Sequence, residues 1–289
     1  MLRHIHAAAA AALCAFMAIP AMAQDLTGTL KKVKETGTIT IGHRETSVPF
    51  SFLDEKQQPI GYSMDLCAKI VEAVKTELNL PNLQVKHIPV ISQTRIPLVA
   101  NGTVDIECGS TTNTLTRQKQ AEFSPVTFIG GTRLLVKAKS GIKEVEDLKC
   151  KTISVSQGTT NERVIKSLSE KLNLGIKVLN VKDHAEGFLV LESGRVDANV
   201  SDDVQLYGLK ANARNPADYA VVGRSLSYEP FGLMFRRGDP DFKLLVAKTL
   251  AGLMRSGEME KIHAKWFGPL GITVDEATKA AFLLQALPE

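Results

Sequence analysis

The sequence lacks a block of like charge, a zinc-binding spacing among its four cysteines and, beyond the amino terminus, any apolar run of transmembrane length. A net charge of +4 over 289 residues does not predict a nucleic-acid partner. No catalytic nucleophile or metal cluster stands out. We therefore expect a protein that captures a ligand without converting it, and that needs no cofactor or metal.

The amino terminus is typical of an export signal. A weakly basic start precedes a short, alanine-rich apolar run at residues 7–18, and Ala21-Met22-Ala23 is a small-x-small cleavage sequence. We predict a signal peptide at residues 1–23, cleavage after Ala23 and a soluble, periplasmic mature protein. A lipid anchor on Cys14 is the alternative, but the preceding Leu13 is larger than a lipoprotein signal requires.

Three cysteines, Cys67, Cys108 and Cys150, remain after the signal peptide. In an oxidising compartment an odd count allows at most one disulfide. The sequence does not say which of them pair, and small buried thiols are the favoured interpretation for each.

Helical and strand patterns alternate along the chain and predict an α/β fold. Thr38 to Ile41 alternates like a strand, and Ser92 is predicted to cap a short helix that contains Pro97. Near the carboxyl terminus, an apolar strand is predicted from Phe231 to Arg236. Two helices are then predicted, at Asp239 to Arg255 and Glu258 to Phe267.

One short pattern occurs twice. Gly102-Thr103-Val104-Asp105 and Gly194-Arg195-Val196-Asp197 each follow a predicted helix and open a predicted strand. Polar residues follow both strands, Ser110-Thr111-Thr112 in the first case and Ser201-Asp202-Asp203 in the second. Because ligands bind beyond the carboxyl ends of strands in open α/β sheets, we expect two similar lobes with these polar clusters facing a cleft.

The stretch from Ile91 to Pro125 combines two arginines, Arg95 and Arg117, with hydroxyl side chains near predicted helix starts. Arginine can meet a carboxylate with two parallel hydrogen bonds. Hydroxyls and backbone N–H groups at a helix start add further donors. This combination indicates a site for a small carboxylate ligand.

Segments across the chain resemble family 3 of the extracellular solute-binding proteins, in particular those that serve ABC importers of acidic amino acids. The matching segments, in the expected order, are Gly42-His43-Arg44-Glu45, Ser47-Val48-Pro49-Phe50-Ser51, Ser92-Gln93-Thr94-Arg95-Ile96-Pro97, Glu107-Cys108-Gly109-Ser110-Thr111-Thr112-Asn113, Arg117-Gln118-Lys119-Gln120, Gly131-Thr132-Arg133-Leu134-Leu135, Gly158-Thr159-Thr160, Lys182-Asp183-His184 and Leu191-Glu192-Ser193-Gly194-Arg195.

The resemblance implies an α/β, two-lobed periplasmic binding protein fold of type II, in which each lobe is a mostly parallel sheet flanked by helices. Lobe one would comprise residues 24–130 and 232–289, and lobe two residues 131–231. Two hinge segments, near Gly130-Gly131 and Tyr228 to Phe231, would join them. The protein would be a monomer that binds L-glutamate or L-aspartate, closes, and delivers the ligand to membrane permease subunits.

The resemblance also implies a role for each binding residue. Arg117 and the Thr160 backbone N–H would hold the α-carboxylate. The Ser110 carbonyl, the Thr112 hydroxyl and Asp202 would accept from the α-ammonium. The side-chain carboxylate would be bound by Arg44, Ser92, Arg95 and His184.

Other interpretations stay open at this stage. Arg117 could be a solvated helix charge, Asp202 a helix cap before Val204, and His184 a structural histidine. At the level of function, a dehydratase of prephenate-like acids on the same fold and a sensor module for a membrane receptor are the alternatives. The sequence does not rank glutamate against aspartate.

Overall fold

The computed structural model describes residues 26–288. The predicted signal peptide, its cleavage after Ala23 and the alternative anchor at Cys14 lie outside the described residues. Within residues 26–288, no helix combines the length and apolar character needed to cross a bilayer.

The first half of the fold contains, in chain order, α1 (Gly28–Thr36), β1 (Thr38–His43), β2 (Thr46–Ser47), β3 (Ser51–Leu53), β4 (Pro59–Ile60), α2 (Tyr62–Leu78), β5 (Gln84–Pro89), α3 (Arg95–Ala100), β6 (Ile106–Cys108), β7 (Ala121–Phe123) and β8 (Phe128–Gly130). The second half contains β9 (Thr132–Lys137), β10 (Thr152–Ser156), α4 (Thr160–Lys171), β11 (Lys177–Val181), α5 (His184–Glu192), β12 (Ala198–Asp202), α6 (Asp203–Ala211), β13 (Tyr219–Val222), β14 (Glu229–Phe231), β15 (Met234–Arg236), α7 (Pro240–Arg255), α8 (Glu258–Phe267) and α9 (Glu276–Gln285). Short 3-10 helices lie at Arg117–Lys119, Val145–Leu148, Pro216–Asp218 and Gly268–Leu270.

Two five-stranded sheets share one topology. Their strand orders are β5-β1-β6-β15-β7 and β11-β10-β12-β9-β13. In each sheet the first three strands pair in parallel, and the fourth runs antiparallel to both neighbours. The alternating pattern therefore predicted the fold class correctly.

We call residues 26–123 and 234–288, which build the first sheet and its helices, the first lobe, and residues 132–222 the second lobe. The boundaries expected from the sequence, at 130/131 and 231/232, fall in the two segments between these lobes. Their exact position stays a prediction.

The repeated Gly-x-Val-Asp pattern marks equivalent positions in the two lobes. The Asp105 N–H donates to the Thr40 carbonyl at 2.9 Å, and its carboxylate accepts the Thr40 N–H at 2.7 Å. Asp197 makes the same pair of contacts with Thr152, at 2.7 and 2.8 Å. Each aspartate thereby ties the start of its strand to the neighbouring parallel strand.

The two segments that connect the lobes pair with each other. β8 and β14 form an antiparallel ribbon in which Gly130 lies opposite Glu229. The rings of Phe128 and Phe231 stack with centroids 5.9 Å apart, and both contact Phe50 of the first lobe at 5.2 Å. This aromatic packing anchors the ribbon to the first lobe, so we expect bending on its second-lobe side.

Two local predictions were wrong. The apolar run from Phe231 to Arg236 is two strands, because the Gly232 N–H donates to the Thr111 carbonyl and the Leu233 N–H to the Ser124 hydroxyl. The chain there leaves the connecting ribbon and enters the first sheet. Ser92 is not a helix cap, since α3 starts at Arg95 after Thr94.

The structure also corrects the interpretation of the cysteines. Cys67 on α2 and Cys108 on β6 form a disulfide, whereas Cys150 is exposed and free. The two paired Cα atoms lie 6.3 Å apart, within the range that a disulfide spans. The packing of α2 against the first sheet creates this proximity, which the sequence separation of 41 residues does not reveal.

Candidate functional site

Polar residues at the carboxyl ends of strands in both sheets meet around one narrow cavity of about 10 Å³. Eight of the nine residues predicted to bind the ligand line it, namely Arg44, Ser92, Arg95, Ser110, Thr112, Thr160, His184 and Asp202. Thr159 and Asn161 complete the lining. The ninth predicted residue, Arg117, lies beside the cavity, where it contacts Thr112 and Gly158.

Three side chains of the first lobe carry buried donors without partners. Arg44, Ser92 and Arg95 are each 2% exposed. Both terminal nitrogens of Arg44, the Ser92 hydroxyl and the Arg95 Nε have no hydrogen-bond partner among the described residues. Because a buried donor without a partner costs about 1–3 kcal/mol, this face suits a ligand with several acceptor atoms.

The same face is positively charged. Burial and the neighbouring Arg95 lower the pKa of Arg44 to about 10, which still leaves its guanidinium charged at neutral pH. Burial likewise lowers the pKa of Arg95, and the carboxylate of Glu107 acts in the opposite direction on both arginines. Two buried guanidinium groups of this kind favour an anionic ligand over a neutral one.

His184 adds a hydrogen-bonding group without a charge. Burial lowers its pKa well below 6.5, and the charges of Arg44 and Arg95 lower it further. The neutral ring has one donor and one acceptor nitrogen. Its Nδ1 lies 3.2 Å from the Ser201 hydroxyl and its Nε2 lies 3.4 Å from the Gln205 Nε2.

Asp202 provides a carboxylate on the opposite side of the cavity. It is 4% exposed and accepts a hydrogen bond from the Asn161 Nδ2 at 2.9 Å. Asp202 occupies the N-cap position of α6, as the alternative interpretation has it, but its side chain makes no capping hydrogen bond. Burial and then the charge of Glu229 raise the pKa of Asp202 to about 7. A cation beside this carboxylate would stabilise its ionised form.

The hydroxyl groups near Asp202 already have protein partners. The Ser110 Oγ lies 2.8 Å from the Ser47 Oγ and accepts from the Gln205 Nε2 at 2.6 Å. The role predicted for Ser110 uses its carbonyl, which this network does not involve. The Thr112 Oγ1 lies 3.2 Å from the Thr160 Oγ1.

A third guanidinium lies next to the start of α4. Arg117, 8% exposed, donates to the carbonyls of Thr112 at 2.9 Å and Gly158 at 3.1 Å. Burial and the charge of Arg95 lower its pKa to about 9. The interpretation of Arg117 as a solvated helix charge was therefore wrong. Thr160 is the first residue of α4, a position whose backbone N–H is free of intrahelical bonds.

Several contacts cross from one lobe to the other. The Gln205 Nε2 of α6 donates to the hydroxyls of Ser47 and Ser110 at 2.6 Å each. Gly208, one turn further along α6, packs so closely on Val48 that a Cβ would lie 3.0 Å from the Val48 Cγ1. With the Arg117–Gly158 contact, these interactions describe lobes closed around the cavity.

Sequence reasoning missed five polar residues of this region. Ser47, Asn161 and Gln205 are common polar residues in unremarkable contexts, and nothing in the sequence distinguishes them. Glu107 and Glu229 carried a usable signal, since each is an acidic residue within a short apolar strand and is buried there. Charged residues are seldom fully buried unless they have partners.

Comparison with known proteins gives a consistent family assignment. The model for "Bacterial extracellular solute-binding proteins, family 3" matches residues 39–269. The L-glutamate/L-aspartate-binding protein of Pseudomonas aeruginosa is 53% identical over 89% of this chain and 85% of its own length. The glutamate/aspartate import solute-binding protein of Salmonella typhimurium is 50% identical over 83% of this chain and 79% of its own length.

Solved structures show the same fold. A mutant of ArgBP from T. maritima superposes with a TM-score of 0.74 at 28% identity, covering 83% of this chain and 99% of its own. An ancestral arginine-binding protein bound to arginine gives 0.71 at 33% identity, covering 80% and 98%. An ancestral amino acid-binding protein, described as a precursor of cyclohexadienyl dehydratase, gives 0.71 at 29% identity and covers 83% and 100%.

Proposed function

The chain belongs to family 3 of the bacterial extracellular solute-binding proteins, and on that premise we propose that it is the substrate-binding component of an ABC importer for L-glutamate and L-aspartate. It binds the amino acid between its lobes and delivers it, closed, to the membrane permease. Its role is binding and not catalysis, as in the transport proteins to which it is identical at about half of the aligned positions.

One observation carries the choice of an acidic amino acid. The unpartnered donors of Arg44, Ser92 and Arg95 point to a ligand group that is anionic and rich in acceptors. The side-chain carboxylate of glutamate or aspartate meets both conditions. A side-chain amide lacks the charge, so the two guanidinium groups would stay uncompensated at a cost of about 2–5 kcal/mol. We place the neutral His184 beside the same carboxylate.

The amino-acid backbone of the ligand is held by the remaining residues. Arg117 and the Thr160 N–H bind the α-carboxylate, which lies at the positive end of the α4 dipole. Asp202, the Ser110 carbonyl and the Thr112 hydroxyl accept from the α-ammonium. The raised pKa of Asp202 supports this role, because a bound ammonium group would offset the burial of its charge.

Export and assembly complete the proposal. The protein is delivered to the periplasm by a signal peptide cleaved after Ala23 and acts there as a monomer. Ligand residues come from both lobes: the three arginines from the first, and Thr160, His184 and Asp202 from the second. A ligand that contacts both lobes therefore favours the closed state.

The decisive experiment is calorimetric titration of refolded, ligand-stripped protein with L-glutamate, L-aspartate, L-glutamine and L-asparagine. We expect each acidic ligand to bind at least about 30-fold more tightly than its amide, which corresponds to the lower limit of the charge penalty. Equal affinity for glutamate and glutamine would contradict the proposal. Incubation with prephenate or arogenate, followed by product analysis, tests the dehydratase alternative on the same preparation.

A further inference from the structure

A carboxylate in the connecting ribbon is hydrogen-bonded to the site without lining the cavity. Glu229 on β14 is 2% exposed. Its Oε2 accepts from the Thr160 hydroxyl at 2.7 Å, and its Oε1 accepts from the Ser227 hydroxyl at 2.6 Å. The Thr160 hydroxyl also contacts Thr112, and the Ser227 hydroxyl contacts Thr132.

The contact with Thr160 fixes the direction of a hydroxyl chain. Because a carboxylate can only accept, the single hydroxyl proton of Thr160 is directed to Glu229. The Thr160 Oγ1 can then take part in its 3.2 Å contact with the Thr112 Oγ1 only as the acceptor. The Thr112 hydroxyl therefore donates its only proton to Thr160. Towards a third partner the Thr112 Oγ1 can act only as a hydrogen-bond acceptor.

The contact with Ser227 leads to Asp202. The Ser227 hydroxyl donates to Glu229, so the Thr132 hydroxyl, 2.8 Å away, donates to Ser227. The Thr132 Oγ1 accepts from the Asn161 Nδ2 at 2.8 Å, and the same amide donates to the Asp202 Oδ1 at 2.9 Å. This second chain fixes the Asn161 amide group and with it the Asp202 carboxylate.

We propose that Glu229 is a positioning residue for the ligand's α-ammonium, because it orients both chains so that Thr112 and Asp202 present acceptors to the cavity. The inference rests on the proposed function and adds a residue outside the cavity to ligand recognition. Since Glu229 lies on β14, ammonium recognition is built into one of the two segments that join the lobes.

The charges around Asp202 agree with this arrangement. Besides burial, Glu229 and the adjacent Asp203 raise the pKa of Asp202, while the Asn161 hydrogen bond and the charge of Arg95 lower it. Glu229 also raises the pKa of Arg95 and of Arg117. Its charge therefore acts on both the cationic and the anionic sides of the cavity.

The test compares Glu229→Gln with Glu122→Gln. The glutamine at position 229 has nearly the same shape, but its amide can donate to the Thr160 Oγ1 and so reverse the chain that ends at Thr112. Glu122 is the matched control, since it lies on a first-lobe strand and pairs with the half-exposed Lys243. Both variants remove one negative charge.

The ligands are L-glutamate and L-2-hydroxyglutarate, whose α-hydroxyl can accept a hydrogen bond where an ammonium group cannot. We expect Glu229→Gln to weaken L-glutamate binding at least tenfold and to shift the ratio of the two affinities at least tenfold towards the hydroxy acid. Glu122→Gln should change neither by more than about twofold. Equal losses for both ligands would mean that Glu229 only supports the fold, and would overturn the proposal.

A ligand-independent measurement accompanies the titrations. In ligand-free protein, ¹³C-detected titration of the Asp202 carboxyl should give a lower pKa in Glu229→Gln than in the wild type, and an unchanged value would overturn the link. Ser227→Ala interrupts the second chain but keeps the charge, so it should weaken L-glutamate binding and leave the Asp202 pKa closer to that of the wild type than Glu229→Gln does. If the wild type bound no acidic amino acid, the proposed function would fail, and the Asp202 titration would still decide whether Glu229 is coupled to Asp202.

Discussion

The two lobes have the same sheet topology but contribute opposite kinds of groups to the site. The first lobe presents guanidinium and hydroxyl donors, several of them unpartnered among the described residues. The second lobe presents Asp202, already hydrogen-bonded to Asn161, a neutral His184 and the start of α4. Under the proposed function this difference would be a division of labour: the first lobe would select the charge of the ligand, and the second would complete the binding of the amino-acid backbone when the lobes close.

The largest effects are expected when the arginines of the first lobe are replaced one at a time. Arg95→Ala should weaken acidic ligands selectively, and Arg117→Ala should weaken every amino-acid ligand. Each change removes a partner of a buried charge, so losses of about 2–5 kcal/mol are expected. Calorimetric affinities for glutamate and glutamine measure both effects. If the two variants had the same selectivity profile, the division of roles between these arginines would be wrong.

A second difference between the lobes is the disulfide, which lies only in the first lobe among the described residues. Replacing Cys67 and Cys108 together by alanine should lower the free energy of unfolding by about 2–4 kcal/mol, because the bridge restricts the unfolded chain. Denaturant titration followed by circular dichroism measures the change. Cys150→Ser, which alters an exposed free thiol of the second lobe, is the control and should leave stability within about 0.5 kcal/mol.

The role of the second lobe can be tested through pH. Burial between the closed lobes and the charge of Glu229 raise the pKa of Asp202 to about 7, and a bound ammonium group should lower it. Binding then releases a proton below pH 7, so affinity for glutamate should fall roughly tenfold per pH unit as the pH drops from 7. Calorimetry between pH 5 and 8 measures the slope. The Asp202→Asn variant should bind glutamate weakly, with an affinity that does not change with pH. If its affinity fell with pH as steeply as that of the wild type, the released proton would come from another group.

The raised pKa of Asp202 also predicts how stability depends on pH, and the direction is opposite to that for glutamate affinity. An aspartate whose pKa is higher in the folded state than its ordinary 3.8 binds more protons folded than unfolded. Its contribution to the stability of the ligand-free protein is therefore present at low pH and is lost as the pH rises towards 7. Thermal unfolding of the wild type and Asp202→Asn across this window separates this contribution from those of other groups.

The smallest expected effect concerns closure alone. Gln205→Ala removes two hydrogen bonds between the lobes, each worth about 1 kcal/mol, without changing a charge. We expect a loss of roughly fivefold or more in affinity, equal for all ligands, and a larger radius of gyration in small-angle scattering with glutamate bound. Gln118→Ala, an exposed first-lobe change, is the control. A change in selectivity would show that Gln205 acts on ligand recognition, directly or through His184, and not on closure alone.

The sequence predicts those features of this structure that depend on neighbouring residues, and it does not predict those that depend on contacts between distant segments. The helix α8 has the predicted bounds, and α7 ends as predicted and starts one residue later, because Asp239 is its cap and Gly257 separates the two helices. The Gly-x-Val-Asp repeat also found its two equivalent strands. In contrast, the Cys67–Cys108 bridge, the break between β14 and β15, and the contacts of Gln205 depend on packing between distant segments. Glu229 is an intermediate case. The sequence shows an acidic residue in a short apolar strand, but it does not reveal the partners of that residue.

The close packing of Gly208 against Val48 has a consequence for how this protein can be tuned. At Gly208 the helix α6 approaches the other lobe with a hydrogen atom where other residues carry a Cβ atom, which would lie 3.0 Å from the Val48 Cγ1. We expect a substitution there to act as a spacer between the lobes, because Val48 would have to move by a few tenths of an ångström, while the side chains that line the cavity stay the same. Retention of the ligand and its chemical selectivity are thus separable: residence time can be adjusted from the rim, one carbon atom at a time, without redesigning what is recognised inside.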